Sequence, residues 1–576
     1  MNYSIYRNIF LGTILAGGLL LIAACSKYND PPPVFETAVE KPFSKKRKVL
    51  LIVLDGAAGL EVKKIAPPAI MGLTEHAKYT WEGFGDAQTA DGPSWANILS
   101  GKTAAASDIT DSTLSPGFDP EDEHEEIPVF SNFFQRLLIS GYLPKTVAIT
   151  PWNTLADRGL KFAASVVNAA DDAAVRDSAL RNLADDKLGL MLVNFNGINL
   201  AGRASAFSAD EPAYKNAVLK ADGYIKELLD AVAKRSNYQQ EDWLIIVTSN
   251  HGGEGNRYGD PTILQRKIFT IYNNPSFVKK QFIAPALTNA VNHTAIATQA
   301  VLPAASITGM GYDIPAVGGG EFTMMVKVMR TGNFSGNSVL VSKVSHPYTN
   351  IRGWELMTNG VNNFRICIGE GGGGTTPRYF LHSKQPLPAV NSGWVTIALV
   401  VQTKTDGKRY ASVYTNGVKD STYDMTAYPD LSSPGSPLII GNITAATGNM
   451  PFRAIELGIW NKAVSEDYIK SYPCKSGITS TDDFYSNLIG YWPGNEALGN
   501  VYHNKSPLAA GKDLVMNFTP AWSLLSATNC NTPDNFLTTN TDIAPNLFYW
   551  VGLNPLTSWG FESKEWLSKY ETEFIK

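Results

Sequence analysis

Apolar and polar positions follow two different rhythms along this chain, and the change falls near residue 290. Between residues 49 and about 284, short apolar runs of strand length (49–54, 145–149, 188–195 and 243–248) alternate with stretches whose apolar residues recur every three to four positions. Unbroken apolar runs of this length suit strands buried on both faces, and their alternation with helices predicts an α/β fold with a parallel sheet covered on both sides. Helices are predicted over 94–100, over 129–140, and in a long segment opened by Ser208-Ala209-Asp210-Glu211, where Val218, Ala221, Ile225, Leu228, Leu229 and Val232 share one face. After residue 290 the segments 321–329, 338–342, 354–357, 363–368, 394–402, 410–414, 438–440 and 454–460 read as short strands between Gly, Asn and Pro turns. That texture predicts an all-β sandwich.

Length and charge narrow the picture. A chain of 576 residues exceeds one ordinary core, and 44% apolar with 18% charged residues is a globular composition. A net charge of -4 and a pI near 6.0 leave no basic stripe for a phosphate backbone, so nucleic acid is not an expected partner. The acidic run from Glu121 to Glu126 reads as a solvated loop.

The N-terminus carries Arg7 and then an apolar run over 9–24 that ends in Ala23-Ala24-Cys25. Small residues directly before a Cys are what a bacterial lipoprotein signal needs, so Cys25 is the expected lipidation site and membrane anchor in the cell envelope. Residues 25–46, with Pro31-Pro32-Pro33, then form a tether. Export implies an oxidising compartment. Cys474 and Cys530, both in loop-like sequence, are the expected bridge, and Cys367, inside a strand-like segment, the buried thiol.

Candidate chemistry sits at two strand ends: 49–54 runs into Asp55-Gly56, and 243–248 leads into Asn250-His251-Gly252. Open α/β sheets place ligands at the carboxyl ends of their strands, and Asp and His are metal-ligand types. Taken alone, both dipeptides are also common turn pairs and read equally as strand-end caps.

In order along the chain, Asp55-Gly56, Gly92-Pro93 leading to Ser100-Gly101, Pro151-Trp152-Asn153, the helix from Pro212 through Ile225, and Ser249-Asn250-His251-Gly252-Gly253 resemble the alkaline phosphatase superfamily, in its type I phosphodiesterase and nucleotide pyrophosphatase branch. The tail Asp542-Ile543-Ala544-Pro545 resembles the segment that closes such domains. Between them, Gly393-Trp394-Val395-Thr396, Val413 to Val418, Ile440-Gly441 and Ile455 to Ser465 resemble a laminin-G-like, concanavalin-type jelly roll. Gly490 to Glu496, which resembles a first-strand segment of such domains, comes last here and implies a permuted strand order. The expected organisation is a signal over 1–24, the tether over 25–46, an α/β domain split into 47–290 and 526–576, and the sandwich inserted over 291–525.

The phosphodiesterase resemblance implies two divalent cations, held by Asp and His, around a Ser or Thr nucleophile. Here the nucleophile position is Asp91, and the Asp-x-x-Gly-His element is matched by Asn199-Leu200-Ala201-Gly202-Arg203. Arg has no free lone pair for a metal. No His stands just before Asp542; the nearest, His382 and His503, fall in the sandwich. The resemblance thus implies one degenerate site of Asp55, Asp91, Asn250 and His251, holding a single zinc, calcium, magnesium or manganese ion or none. Two functions are open: a catalytically impaired surface lipoprotein whose lectin-like sandwich binds glycan or protein, with Trp460 and Trp492 as candidate ligand-stacking residues, or a metal-dependent phosphoester or sulfate-ester hydrolase.

Overall fold

A computed structural model describes residues 45–117, 130–142, 144–296, 298–307, 311–345, 351–360, 362–371, 378–443, 448–509 and 511–575. Cys25, most of the tether and the acidic run lie outside these residues.

The first strand explains the α/β layers. β1 (Lys46–Leu54) is buried beyond its first residue; Val49, Leu51 and Val53 enter one core while Leu50, Ile52 and Leu54 enter another. A strand with two apolar faces needs a cover on each. On one face lies the helix Pro212–Ala233, which buries Val218, Ala221, Ile225, Leu228 and Val232. On the other lies the closing helix Ile543–Trp550, where Trp550 Nε1 donates to the Lys48 carbonyl at 3.1 Å and the Arg47 guanidinium stacks 4.4 Å from the Trp550 ring. Pro212, at the first helical position, sets the start of the long helix four residues after Ser208.

The remaining strands are β2 (Ala77–Phe84), β3 (Lys145–Thr150), β4 (Ser165–Asn168), β5 (Leu188–Phe195), β6 (Glu241–Ser249), β7 (Lys267–Asn273) and β8 (Lys280–Gln281), in the order β4-β3-β5-β1-β6-β7-β2-β8. β1 pairs in parallel with both β5 and β6. The sheet is mixed, because β7 runs antiparallel to both β6 and β2. A parallel sheet was the expectation; β7 departs from it because it turns back directly beside β6 after the loop over residues 250–266, whereas β2, beyond it, again runs the same way as β1.

The second core lies between two antiparallel sheets. One runs Arg378–Pro386, Asn363–Glu370, Arg352–Thr358, Val339–Ser345, Leu438–Ile440, Ala300–Leu302, Leu514–Met516, Val501–Tyr502. The other runs Val418–Asp424, Arg409–Thr415, Val395–Thr403, Phe322–Arg330, Phe452–Trp460, Leu287–His293, Trp522–Ser526, with Leu488–Trp492 paired to Phe452–Trp460. The strand that enters this region, Leu287–His293, pairs with the one that leaves it, Trp522–Ser526. Cys474 and Cys530 form a disulfide with Cα atoms 5.4 Å apart, and Cys367 is a buried thiol outside that bridge.

Trp460 and Trp492 are not ligand-stacking residues: their exposures are 0% and 1%. Each ring lies flat along its own strand over a glycine two residues before it, since a Cβ on Gly458 would come 2.4 Å from the Trp460 ring and one on Gly490 2.6 Å from the Trp492 ring. Side chains two apart share a face of a strand, so each glycine makes room for the ring that covers it.

Candidate functional site

Three strand ends and one helix start build the site. β1 delivers Asp55, whose N–H donates to the Phe195 carbonyl at the end of β5 at 2.9 Å. Gly56 follows with φ +71, and a Cβ there would lie 2.9 Å from the Asn199 Cα. Only glycine combines that left-handed turn with so close an approach, and it lets the helix Gly197–Ala204 press Asn199 against the Asp55 turn. β6 delivers Asn250 and His251, both buried. The Asn250 Oδ1 accepts from the Gly56 N–H at 3.1 Å and from the His251 N–H at 2.9 Å, tying the two strand ends together. Asp91 opens the helix Asp91–Ser100, where the helix dipole favours an anion. Gly92 is required there, because a Cβ would meet the Asp111 carbonyl at 1.8 Å.

The sequence thus brings Asp55, Asp91, Asn250, His251 and Asn199 to one place. Arg203 lies one turn beyond Asn199, exposed, with its guanidinium 6.0 Å from the Tyr258 ring. Tyr258 was not among the expected residues, and it links more of the site than any that was. Its hydroxyl donates to Asp91 Oδ2 at 2.8 Å and accepts from Asn199 Nδ2 at 3.2 Å, while its ring stacks on His251 with centroids 4.0 Å apart and planes 11° apart. The phenol therefore stands between Asp91, expected at the nucleophile position, and Asn199, expected at a ligand position. Trp95 is the second unforeseen residue, its Nε1 donating to Asp55 Oδ1 at 3.0 Å.

His251 completes the network. Its Nδ1 lies 2.6 Å from the Gly252 carbonyl, which makes that nitrogen a donor, and its Nε2 lies 3.3 Å from Asp91 Oδ1. Burial acts to raise the Asp91 pKa, but the bonds and charge of His251, the Tyr258 hydroxyl and Arg203 outweigh it and hold the carboxyl below the usual range. Asp55 goes the other way. Burial, reinforced by the charge of Asp91, pushes it well above the usual range against the Trp95 bond. Tyr258 is raised to about 12, first by burial and then by Asp91.

These donors do not fit a divalent ion as they stand. Both Asp91 oxygens are engaged by His251 and Tyr258, one Asp55 oxygen by Trp95, and the Asn250 carbonyl oxygen by two backbone N–H groups. Among the described residues no group of three or more His, Cys, Asp or Glu is gathered as a metal site. Asp55, Asp91, Asn250 and His251, the residues expected to hold a single ion, are held in hydrogen bonds among themselves and with Gly56, Trp95 and Tyr258. Two buried amide atoms, Asn199 Oδ1 and Asn250 Nδ2, are left without partners.

An α/β sheet with Asp and His at its central strand ends, and a helix start holding the nucleophile position, defines an alkaline-phosphatase-like domain; the paired antiparallel sheets define a concanavalin-like one. Residues 76–295 match the family of type I phosphodiesterase / nucleotide pyrophosphatase, and residues 310–470 match the concanavalin A-like lectin/glucanases superfamily. The chain joins one domain of each kind.

No curated protein sequence matches it. Among solved structures, murine ectonucleotide pyrophosphatase / phosphodiesterase 5, in an inactive form in complex with AMP, is 16% identical over 36% of this chain and 57% of that one, with a TM-score of 0.29. A protein in the alkaline phosphatase superfamily from Vibrio parahaemolyticus is 14% identical over 46% and 69%, with a TM-score of 0.32. A 2-O GAG sulfatase is 10% identical over 59% and 85%, with a TM-score of 0.33. The chain spans little more than half the length of the murine protein. All three scores are too low for an argument about activity to rest on them.

Proposed function

We propose that the α/β domain is a phosphodiesterase fold retained without turnover, in a protein held at a bacterial envelope by a lipidated Cys25, and that its concanavalin-like domain is a binding module for a surface glycan or protein. The Tyr258 hydroxyl carries this reading: it is hydrogen-bonded to Asp91 and Asn199 together, where a phosphodiesterase would need an ion and a free nucleophile. A carboxylate with both oxygens held is a poor nucleophile, and single electrostatic groups in such sites are worth roughly 3–4 kcal/mol of barrier. The loss of ligand residues at positions 199 and 203 supports the same conclusion, since Arg203 can attract an anion but cannot bind a metal. Among the described residues no helix is long and apolar enough to cross a membrane; the anchoring part of this proposal rests on the small residues before Cys25.

The test is turnover. Purified protein is assayed against aryl phosphomonoesters, phosphodiesters and sulfate esters with zinc, manganese or calcium, and no rate above the metal-only blank is expected. Turnover that disappears in Asp91→Ala would establish the hydrolase reading instead. Anchoring is checked separately by fatty-acid labelling in cells, which Cys25→Ala should abolish.

A further inference from the structure

Trp460 and Trp492, buried in the core, have no face open to a saccharide. A cleft of about 380 Å³ opens where the chain leaves the α/β sheet and where it returns, lined by Lys280, Phe282, Asp534, Phe536, Lys569 and Tyr570. Pockets of this size at domain junctions are where small ligands are commonly held. Its walls are fixed: the Phe536 N–H donates to the Ile283 carbonyl at 2.9 Å and the Phe282 N–H to the Tyr79 carbonyl at 2.7 Å.

The floor is aromatic and rigid. Phe282 and Phe536 lie 4.9 Å apart, and each meets the Trp566 ring edge-on, at 5.1 and 5.9 Å. Tyr570 is held by Lys78, whose ammonium sits 4.2 Å from its ring and pairs with Glu573 at 2.8 Å. Phe536 and Tyr570 are half-buried, so part of each ring faces the cleft.

The rim is charged. Lys280 stands 5.5 Å from the Tyr570 ring and Lys569 stands 5.3 Å from the Phe536 ring. Neighbouring lysines are paired, Lys78 with Glu573 and Lys279 with Glu75, but among the described residues neither Lys280 nor Lys569 has a carboxylate partner. Asp534 is the one acid of the lining.

Aromatic faces suit the C–H face of a sugar ring, two unpaired ammonium groups suit an acidic substituent, and a carboxylate opposite suits ring hydroxyls. We propose that this cleft binds an anionic pyranose unit, a uronate or a sulfated sugar. β6, β7 and β2 lie between β1 and β8, so the cleft is roughly 19 Å across the sheet from the Asp55 turn, and its binding does not depend on whether the α/β domain turns over an ester.

The experiment is calorimetric titration of the full chain with a chondroitin sulfate tetrasaccharide, an oligogalacturonate and a neutral cello-oligosaccharide. At least one acidic probe binds, more weakly as salt is added, and the neutral probe does not. The Lys280→Gln/Lys569→Gln double variant, changed only at exposed side chains, and Tyr570→Ala each weaken binding about tenfold or more. An unchanged thermal transition in the lysine variant shows that the fold is intact. Failure of both acidic probes to bind at millimolar concentration, equal binding of the neutral probe, or full binding by the lysine variant would overturn the proposal.

Discussion

Tyr258→Phe isolates the hydroxyl that the site reading depends on, because it keeps the ring stacked on His251 and removes only the oxygen between Asp91 and Asn199. A hydrogen bond to a charged group contributes about 1.5–3 kcal/mol. The Asp91 side chain is 25% exposed, so water can replace part of what is lost, which favours the lower end, about 1.5 kcal/mol. Asn199 is 3% exposed and its Nδ2 would lose its acceptor, adding about 1 kcal/mol. The expected loss is therefore about 2–3 kcal/mol in the α/β domain, a fall of roughly 3–5 °C in its transition. The pH dependence follows from Asp91. A carboxyl held below its usual range stabilises the fold above its unfolded pKa near 3.9, and that contribution disappears as pH falls through the lower folded value. The penalty of Tyr258→Phe should thus be full at neutral pH and shrink below about pH 4. Denaturant unfolding of both proteins across this range measures it. A penalty under about 0.5 kcal/mol at neutral pH, or one that is the same at low pH, refutes the network as described.

Asp55→Asn should stabilise the domain at neutral pH by about 1–3 kcal/mol, because it keeps an acceptor for Trp95 and removes a buried charge. The sign follows from a folded pKa raised above the unfolded one: the native stabilisation is complete below about pH 4 and is lost as pH rises, so the gain should vanish in acid melts. Trp492→Ala should cost about 3–5 kcal/mol in the sandwich transition, seen calorimetrically, and leave binding in the Lys280 cleft unchanged. Replacing Cys474 and Cys530 with Ser frees a loop of 56 residues and should cost about 4 kcal/mol by loop entropy, read from denaturant midpoints.

What the sequence revealed, and what it hid, follows from the kind of signal each residue leaves. β1, β5 and β6 are legible because strands buried on both faces are continuous apolar runs, and their ends point to Asp55 and His251 without further information. Tyr258 leaves no such trace. It sits seven residues after His251 in a loop turned by Gly255 and Gly259, both at positive φ, and belongs to no periodic element. The only hint was a large aromatic in a glycine-rich loop next to the ligand strand, a position that loops commonly use for function. Trp95 was hidden differently: on a fully buried helix face its indole reads as core, and only the fold aims its N–H at Asp55. For Trp460 and Trp492 the signal was present as Gly-x-Trp, a spacing that places the glycine beneath the ring.

Carboxylates that face one another in a medium of low polarity repel, and burial disfavours their charge. This chain limits charge at the site residue by residue. Asn199 and Asn250 carry hydrogen-bonding shape without formal charge, and the Asn250 Oδ1 gathers the Gly56 and His251 N–H groups. Asp55 is pushed toward its neutral form by burial and by Asp91. Asp91 can remain a carboxylate because His251, Tyr258 and Arg203 favour its charged form against burial. The side chains are therefore coupled: Tyr258 donates to Asp91 while accepting from the Asn199 amide, and an amide rather than a carboxylate at Asn250 adds no negative charge beside Asp91.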